Sequence, residues 1–276
     1  MARVMATALI SVLLSLLLGP RLDAAQAATQ RSVFIEELTW TEIQAAVRSG
    51  TTTVIIPSGG TEQNGPHMVL GKHNIIVKFA AGNIATRLGN ALVVPVVTYV
   101  PEGTPDPPTD HMRFPGTVTL PQEYYMKLLE YAARSFAAHG FLDIVFIGDH
   151  GGTEPGQQLV AAALNTEWAA TRVRVHDVAA YYTAGLDNNE ALMTQGVTAE
   201  AIGSHAGIPD TSELMAIDPD GVRPDKLAPG REDDGTGVVG DPRRATAAYG
   251  KISIEARIAT AVRVIREMRE SSRNAP

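Results

Sequence analysis

The chain has 276 residues, a formal net charge of −7, 45% hydrophobic residues and no cysteine. Without cysteine there are no disulfides, no thiolate catalysis and no thiolate metal ligands, so any metal site must be built from His, Asp and Glu. An acidic balance with no Lys/Arg block argues against nucleic acid as a partner, because that affinity comes largely from neutralising phosphates.

Arg3, an apolar run over residues 5–18 and a small-residue patch ending Ala25-Gln26-Ala27-Ala28 follow the order of a secretory signal peptide. The apolar run is shorter than a comfortable membrane span. Cleavage after Ala27 is therefore expected, giving an exported chain, periplasmic or secreted, with no stable membrane association. Residues 28–276 would then form a single domain, long enough to bury a sizeable core.

A short helix is expected over 42–48, with Thr41 able to cap it. The run Thr53-Val54-Ile55-Ile56 reads as a buried strand, and residues 74–88 read as a helix with Ile76, Ala80, Ile84 and Leu88 at helical spacing and Gly89-Asn90 as its stop. Between them lie Glu62, His67 and His73, a carboxylate and two imidazoles on one strand-to-helix loop. Residues 91–98 form a nearly continuous apolar run, as in a strand covered on both faces, with Pro95 pointing to an edge or an irregular position. Residues 101–108 carry four prolines around a glycine and cannot be regular structure; they lead as a structured loop into His111.

Leu120-Pro121 opens a helix to about residue 139, with Tyr124, Leu128, Tyr131 and Ala132 expected on its buried face. Residues 142–147 form a second strand, which ends in Gly148-Asp149-His150-Gly151-Gly152. An alanine-rich helix over 155–170 and a strand over 173–178 follow, with His176 read as structural. Residues 203–212 form a turn-rich loop in which Asp210 or Thr211 could cap a short helix over 212–217. Residues 218–242 are a long loop, and a packing helix over 244–270 carries Ile254, Ile258, Ala261, Ile265 and Met268. Strands alternating with helices imply an α/β fold of three layers, a mostly parallel central sheet flanked by helices.

Three loops thus bring together Glu62, His67 and His73, then Asp149 and His150, then His205 and Asp210. Such oxygen and nitrogen donors suit zinc, manganese or iron, and an open position on such a metal acidifies bound water, which is the chemistry of a hydrolase. Each residue also has an ordinary reading: Glu62 as a loop brace, His150 as a hydrogen-bonded core imidazole, Asp210 as a cap.

The sequence resembles the creatininase family of metal-dependent amidohydrolases. The resemblance rests on Gly60-Thr61-Glu62-Gln63-Asn64-Gly65-Pro66-His67, on His111 followed by Phe114-Pro115-Gly116-Thr117, on Asp149-His150-Gly151-Gly152, on His205-Ala206-Gly207 followed by Asp210-Thr211-Ser212, and on Gly240-Asp241-Pro242. It implies a parallel-sheet α/β fold, often a hexamer, with a divalent metal site that hydrolyses non-peptide C–N bonds of cyclic or linear amides. Glu62 and His150 fall on the family's ligand positions and His205 on its proton-transfer histidine. Asp210 stands where the family has a nearby glutamate.

Three positions depart from the family pattern. Asn64 replaces a histidine ligand of the second metal, His73 replaces a bridging aspartate, and Gly152 stands where creatininase proper has a glutamate. The resulting expectation is one metal, zinc before manganese or iron, on Glu62, His73, His150 and Asp210. Proton transfer would fall to His205, oxyanion donation to Asn64, and substrate contact to His67 and His111. A small amide substrate and a homo-oligomer are expected. The alternatives are a formamide or lactone hydrolase, and an exported binding protein that has kept the pocket and lost hydrolysis.

Overall fold

A computed structural model of the protein describes residues 32–274; the signal segment expected at residues 1–27 lies outside the described residues. Four parallel strands form the sheet: β1 (Thr53–Ser58), β2 (Ala91–Val93), β3 (Asp143–Gly148) and β4 (Arg174–Asp177), in the order β2-β1-β3-β4. The register pairs Thr53 with both Ala91 and Asp143, and Asp143 with Arg174. Because β1 and β3 are central, their side chains are buried on both faces, which is why they read as unbroken apolar runs. Val54, Ile56, Ile144 and Phe146 pack to one side; Ile55, Val145 and Ile147 pack to the other.

The first face is covered by α1 (Trp40–Arg48), α3 (Gln122–Ala138) and α4 (Glu154–Glu167), and the second by α2 (Lys72–Leu88), α5 (Ala180–Asp187) and the long α9 (Ala247–Asn274). Short helices α6 (Asn189–Thr194), α7 (Ala199–Ile202) and α8 (Ile208–Ile217) lie between α5 and α9 in the chain. The connections between strands pass through helices, which is how parallel neighbours are joined. The α/β sandwich expected from the alternation of elements is what forms.

Several local expectations shift. Thr39, not Thr41, caps α1, in a capping box with Glu42. β2 stops at Val93, because Pro95 has no N–H for the ladder; Val97 resumes the pairing by donating to Pro57 O. The buried face of α3 is Tyr125, Leu129 and Ala133, so Tyr124, Leu128 and Tyr131 are exposed. α8 starts at Ile208, four residues before the expected start, which puts Asp210 inside its first turn. α2 ends as expected, with Gly89 left-handed at φ 78°.

Candidate active site

The chemistry-bearing side chains gather beyond the carboxyl ends of β1 and β3, where parallel strands of an α/β sheet leave a crevice for ligands. The loop after β1 carries Glu62, fully buried, and feeds directly into α2, whose first two residues are Lys72 and His73. The loop after β3 carries Asp149 and His150. Glu102 and His111 come from the proline-rich stretch after β2, and His205 from the turn before α8. A cavity of about 320 Å³ opens among them, lined by His111, His150, His205, Lys72 and Asp210.

One group stands out chemically. Ligand-capable atoms of Glu62, Glu102, His111 and His150 all lie within 4.8 Å of one another. Nε2 of both His111 and His150 lies 3.1 Å from Glu62 Oε2, and His150 Nε2 lies 3.2 Å from Glu102 Oε2. Glu62 Oε2 and both oxygens of Glu102 are buried without a well-aligned hydrogen-bond donor. Buried carboxylate oxygens left this way are costly unless something cationic joins them.

The backbone is shaped around Glu102. A Cβ on Gly60 would lie 2.6 Å from Glu102 Oε1, and a Cβ on Gly152 would lie 2.8 Å from the His150 ring and 3.1 Å from Pro101 O. Both positions need glycine for close approach. The donor chemistry, the unpartnered oxygens and this cradle fit a divalent cation.

Electrostatics divides the two carboxylates. Burial works to raise Glu62, but the His73 charge and hydrogen bonds from His150 and His73 outweigh it and hold the group well below the usual range. Glu102 is pushed up to about 10 by burial and by the neighbouring Glu62 charge. Two carboxyl groups this close share one proton when no cation is present.

The expected ligand set is therefore redistributed. His73 does not offer a free nitrogen: Nε2 bonds Glu62 Oε1 and Nδ1 bonds Asp149 Oδ2, each at 2.8 Å. Burial and Lys72 lower its pKa, but Glu62 and Asp149 prevail and leave it raised, as suits an imidazolium between two carboxylates. Asp210 accepts from Lys72 Nζ at 2.9 Å through one oxygen and from Ala206 N at 2.8 Å through the other, so it is an ion-pair partner outside the cluster. Asn64 turns its amide nitrogen to Glu62 O at 3.0 Å, within its own loop, so it braces that loop instead of facing an oxyanion. His67 is fully buried and hydrogen-bonded to Thr211 Oγ1 at 3.0 Å, away from the cavity lining.

His111 lies in the cluster as well as on the cavity. His205 lines the cavity too, with Nδ1 3.9 Å from Glu62 Oε1, and burial brings its pKa down to about 4.

On the cavity wall, Arg257 of α9 binds Asp149 Oδ1 at 2.5 Å and Glu213 Oε2 at 2.6 Å, and Tyr181 donates to Asp149 Oδ1 at 3.0 Å. This buried network holds Asp149, and through it His73, against α9.

A family model for creatininase, described as creatinine amidohydrolase, matches residues 36–265. The chain belongs to the creatininase family. Membership places it among the metal-dependent amidohydrolases. It is 30% identical over 233 residues to the mycofactocin precursor peptide peptidase of Mycolicibacterium smegmatis, covering 76% of this chain and 83% of that protein. It is 31% identical over 120 residues to the creatinine amidohydrolase of Pseudomonas putida, covering 44% and 45%. A solved structure named "Creatininase Mn" superposes with a TM-score of 0.71 at 25% identity, covering 86% of this chain and 99% of that one.

The second carboxylate of the group comes from Glu102, on the loop after β2. Sequence reasoning passed over Glu102 because it sits in an aperiodic, proline-rich stretch. The only signal there was an acidic residue following a strand, in a loop that the other cavity residues face.

Proposed function

We propose that the protein is an exported hydrolase that cleaves the C–N bond of a small cyclic or linear amide, using one divalent cation held by Glu62, Glu102, His111 and His150. The observation that carries this reading is the convergence of those four side chains within 4.8 Å, at buried carboxylate oxygens without a well-aligned donor. Two imidazoles and two carboxylates suit zinc first, and manganese or iron next. Such a cation supplies Lewis acidity toward the amide oxygen and makes water acidic enough to attack near neutral pH.

The protein side of the reaction follows from the geometry. Glu62 stays ionised under the pull of His73, so the site keeps negative charge for the cation. His205 Nε2 lies 3.0 Å from both the Gln63 carbonyl oxygen and Gln63 Nε2, so its tautomer follows the Gln63 carboxamide; when the carboxamide turns to present its oxygen, Nε2 donates and Nδ1 is left as a lone pair 3.9 Å from Glu62 Oε1. An imidazole brought down to about 4 accepts a proton only briefly and gives it up readily to a departing nitrogen. The balance is one C–O bond formed from water, one C–N bond broken, and a proton carried by His205 to the leaving amine.

Gln63 tunes the cluster. Its Oε1 accepts from Gly65 N at 2.9 Å, so its Nε2 donates to His111 Nδ1 at 3.0 Å and places the His111 proton on Nε2. Cation binding through Nε2 needs that proton on Nδ1, which is met when the carboxamide turns to present its oxygen. For His150 it requires loosening a contact from Gly152 N that is already long at 3.2 Å.

Elemental analysis of protein purified without chelators, beside Glu62→Gln and Glu102→Gln and with an amide turnover screen, tests the reading. About one ion per chain, lost in both variants, is the expected result; full occupancy in both variants refutes the site. A second reading, an exported binding protein without hydrolysis, is favoured by Asn64 and His73, which stand where the family pattern has ligands. Protein that stays metal-free after metal is supplied would select it. The homo-oligomer implied by the family resemblance is supported by the exposed face of Tyr124, Leu128 and Tyr131 on α3, and a drop in sedimenting mass in Leu128→Glu would verify that surface.

A further inference from the structure

Away from the carboxylate–imidazole cluster, the cavity wall is rich in donors whose neighbouring acceptors are already engaged. Lys72 is 1% exposed and lines the cavity. Of its three N–H groups, one reaches Asp210 Oδ1 at 2.9 Å, and no other hydrogen-bond partner for it lies among the described residues. Asp210 accepts through both oxygens, from Lys72 and from Ala206 N. The Tyr182 hydroxyl, also on the cavity, has no hydrogen-bond partner among the described residues and sits where a Cβ on Gly151 would be 3.1 Å away. Asn189 lines the same cavity; its Oδ1 accepts from the Tyr249 hydroxyl at 3.2 Å, which leaves its amide nitrogen as the unengaged end. Arg257, the other cation there, already donates to Glu213, Asp149 and Tyr181 O.

We propose that Lys72, Tyr182 and Asn189 form a carboxylate subsite, so that the substrate is an amide that also carries a carboxylate. This rests on the hydrolase reading above. If Lys72 served only as the counter-ion of Asp210, two N–H groups of a buried ammonium would remain unpartnered, an unfavourable arrangement that an acceptor on the ligand relieves. A ligand ammonium would meet the Lys72 charge and find both Asp210 oxygens engaged. A neutral amide would forgo the charge-assisted bonds that only a carboxylate makes with all three donors.

The test compares N-acetylglycine with N-acetylglycinamide on metal-supplemented protein, by calorimetric affinity and by hydrolysis rate. The acid is expected to bind about 10- to 100-fold more tightly than its carboxamide, the range set by one or two charge-assisted bonds. Lys72→Met, and Lys72→Met/Asp210→Asn to avoid stranding a carboxylate, should collapse that ratio toward one. Tyr182→Phe, which leaves the ion pair intact, should lower it several-fold. Equal affinity for the two compounds in the native protein, or an unchanged ratio in the Lys72 variants, overturns the subsite. Turnover of both compounds without preference would remove the subsite and leave the hydrolase reading standing. Lys72-dependent binding of the acid with no turnover of either would support the subsite and remove the hydrolase reading.

Discussion

Replacing Glu102 by glutamine should push two properties in opposite directions. In the cation-free protein Glu102 is protonated up to about pH 10, whereas in the unfolded chain it ionises near 4.5. The folded state therefore binds more protons than the unfolded state throughout that window, and the stability of the cation-free protein falls as pH rises through it. Each pH unit carries ~1.4 kcal/mol, so at pH 7 the 2.5-unit gap above 4.5 amounts to about 3 kcal/mol. Glutamine has nearly the shape of the protonated acid and takes up no proton on folding. Glu102→Gln should thus stabilise the chelator-treated protein by about 3 kcal/mol at pH 7, less at pH 5 and more at pH 9, while abolishing tight metal binding. Urea unfolding of both proteins in chelator at those three pH values, beside metal content without chelator, measures the two effects. A variant that is less stable than the native protein, or a stability difference that does not grow with pH, would refute the shared-proton account of Glu62 and Glu102.

Three further outcomes follow from the same geometry. Gly152→Ala adds a Cβ 2.8 Å from the His150 ring and 3.1 Å from Pro101 O, so metal content should fall while the circular dichroism spectrum of the fold persists; a fully loaded variant would contradict the cradle. Gln63→Glu gives His111 Nδ1 a carboxylate to donate to and should tighten metal binding, whereas Gln63→Leu should weaken it by roughly 10- to 100-fold, as read by chelator competition; equal affinities in the two would show that Gln63 does not orient His111. Arg257→Met leaves Asp149 and Glu213 buried without their shared cation and should lower unfolding free energy by about 3–5 kcal/mol; a loss below about 1 kcal/mol would mean that α9 is held to the sheet by apolar packing alone.

The sheet was legible because β1 and β3 are buried on both faces and show it as apolar runs, and α9 because Ile254, Ile258, Ala261 and Ile265 recur at helical spacing and are buried together. The phase of α3 was not. Tyr124 and Tyr125, Leu128 and Leu129, and Ala132 and Ala133 are adjacent pairs, so two faces one residue apart have the same period. The choice is made in three dimensions, where Tyr125 donates to Ser58 Oγ of β1 at 2.8 Å. Glu62 and His150, which fall in the carboxylate–imidazole group, could be picked out in the sequence because each lies in a loop at a strand end. His73 and Asp210 lie outside that group, bonded to partners that a sequence does not display. Asp149 lies in the loop after the other central strand, 76 residues on from His73 in the chain, and Lys72, which reads as a surface residue, is buried at the start of α2 against Asp210.

On the proposed function, the departures from the family pattern read as one rearrangement. With an aspartate at position 73 and a histidine at position 64, the family places ligands on both sides of the glutamate now at 62. Here His73 engages Glu62 Oε1, and Asn64 turns back to its own loop, so Glu62 has only Oε2 left to share with His111 and His150. A carboxylate with one oxygen bonded to a charged imidazole is poorly placed to bridge two cations, because the second cation would have to displace His73 and break its bond to Asp149 as well. The same loop that brings His111 also brings Glu102, and it can approach because position 152 has no side chain; a glutamate there would collide with Pro101 O and the His150 ring. In the proposed site, Glu102 on the loop after β2 would serve where the family resemblance expects a carboxylate at position 152, and the His73 imidazolium would stand beside Glu62 in place of a second cation. On that proposal one cation is favoured over two, and a metal content near two per chain would refute it.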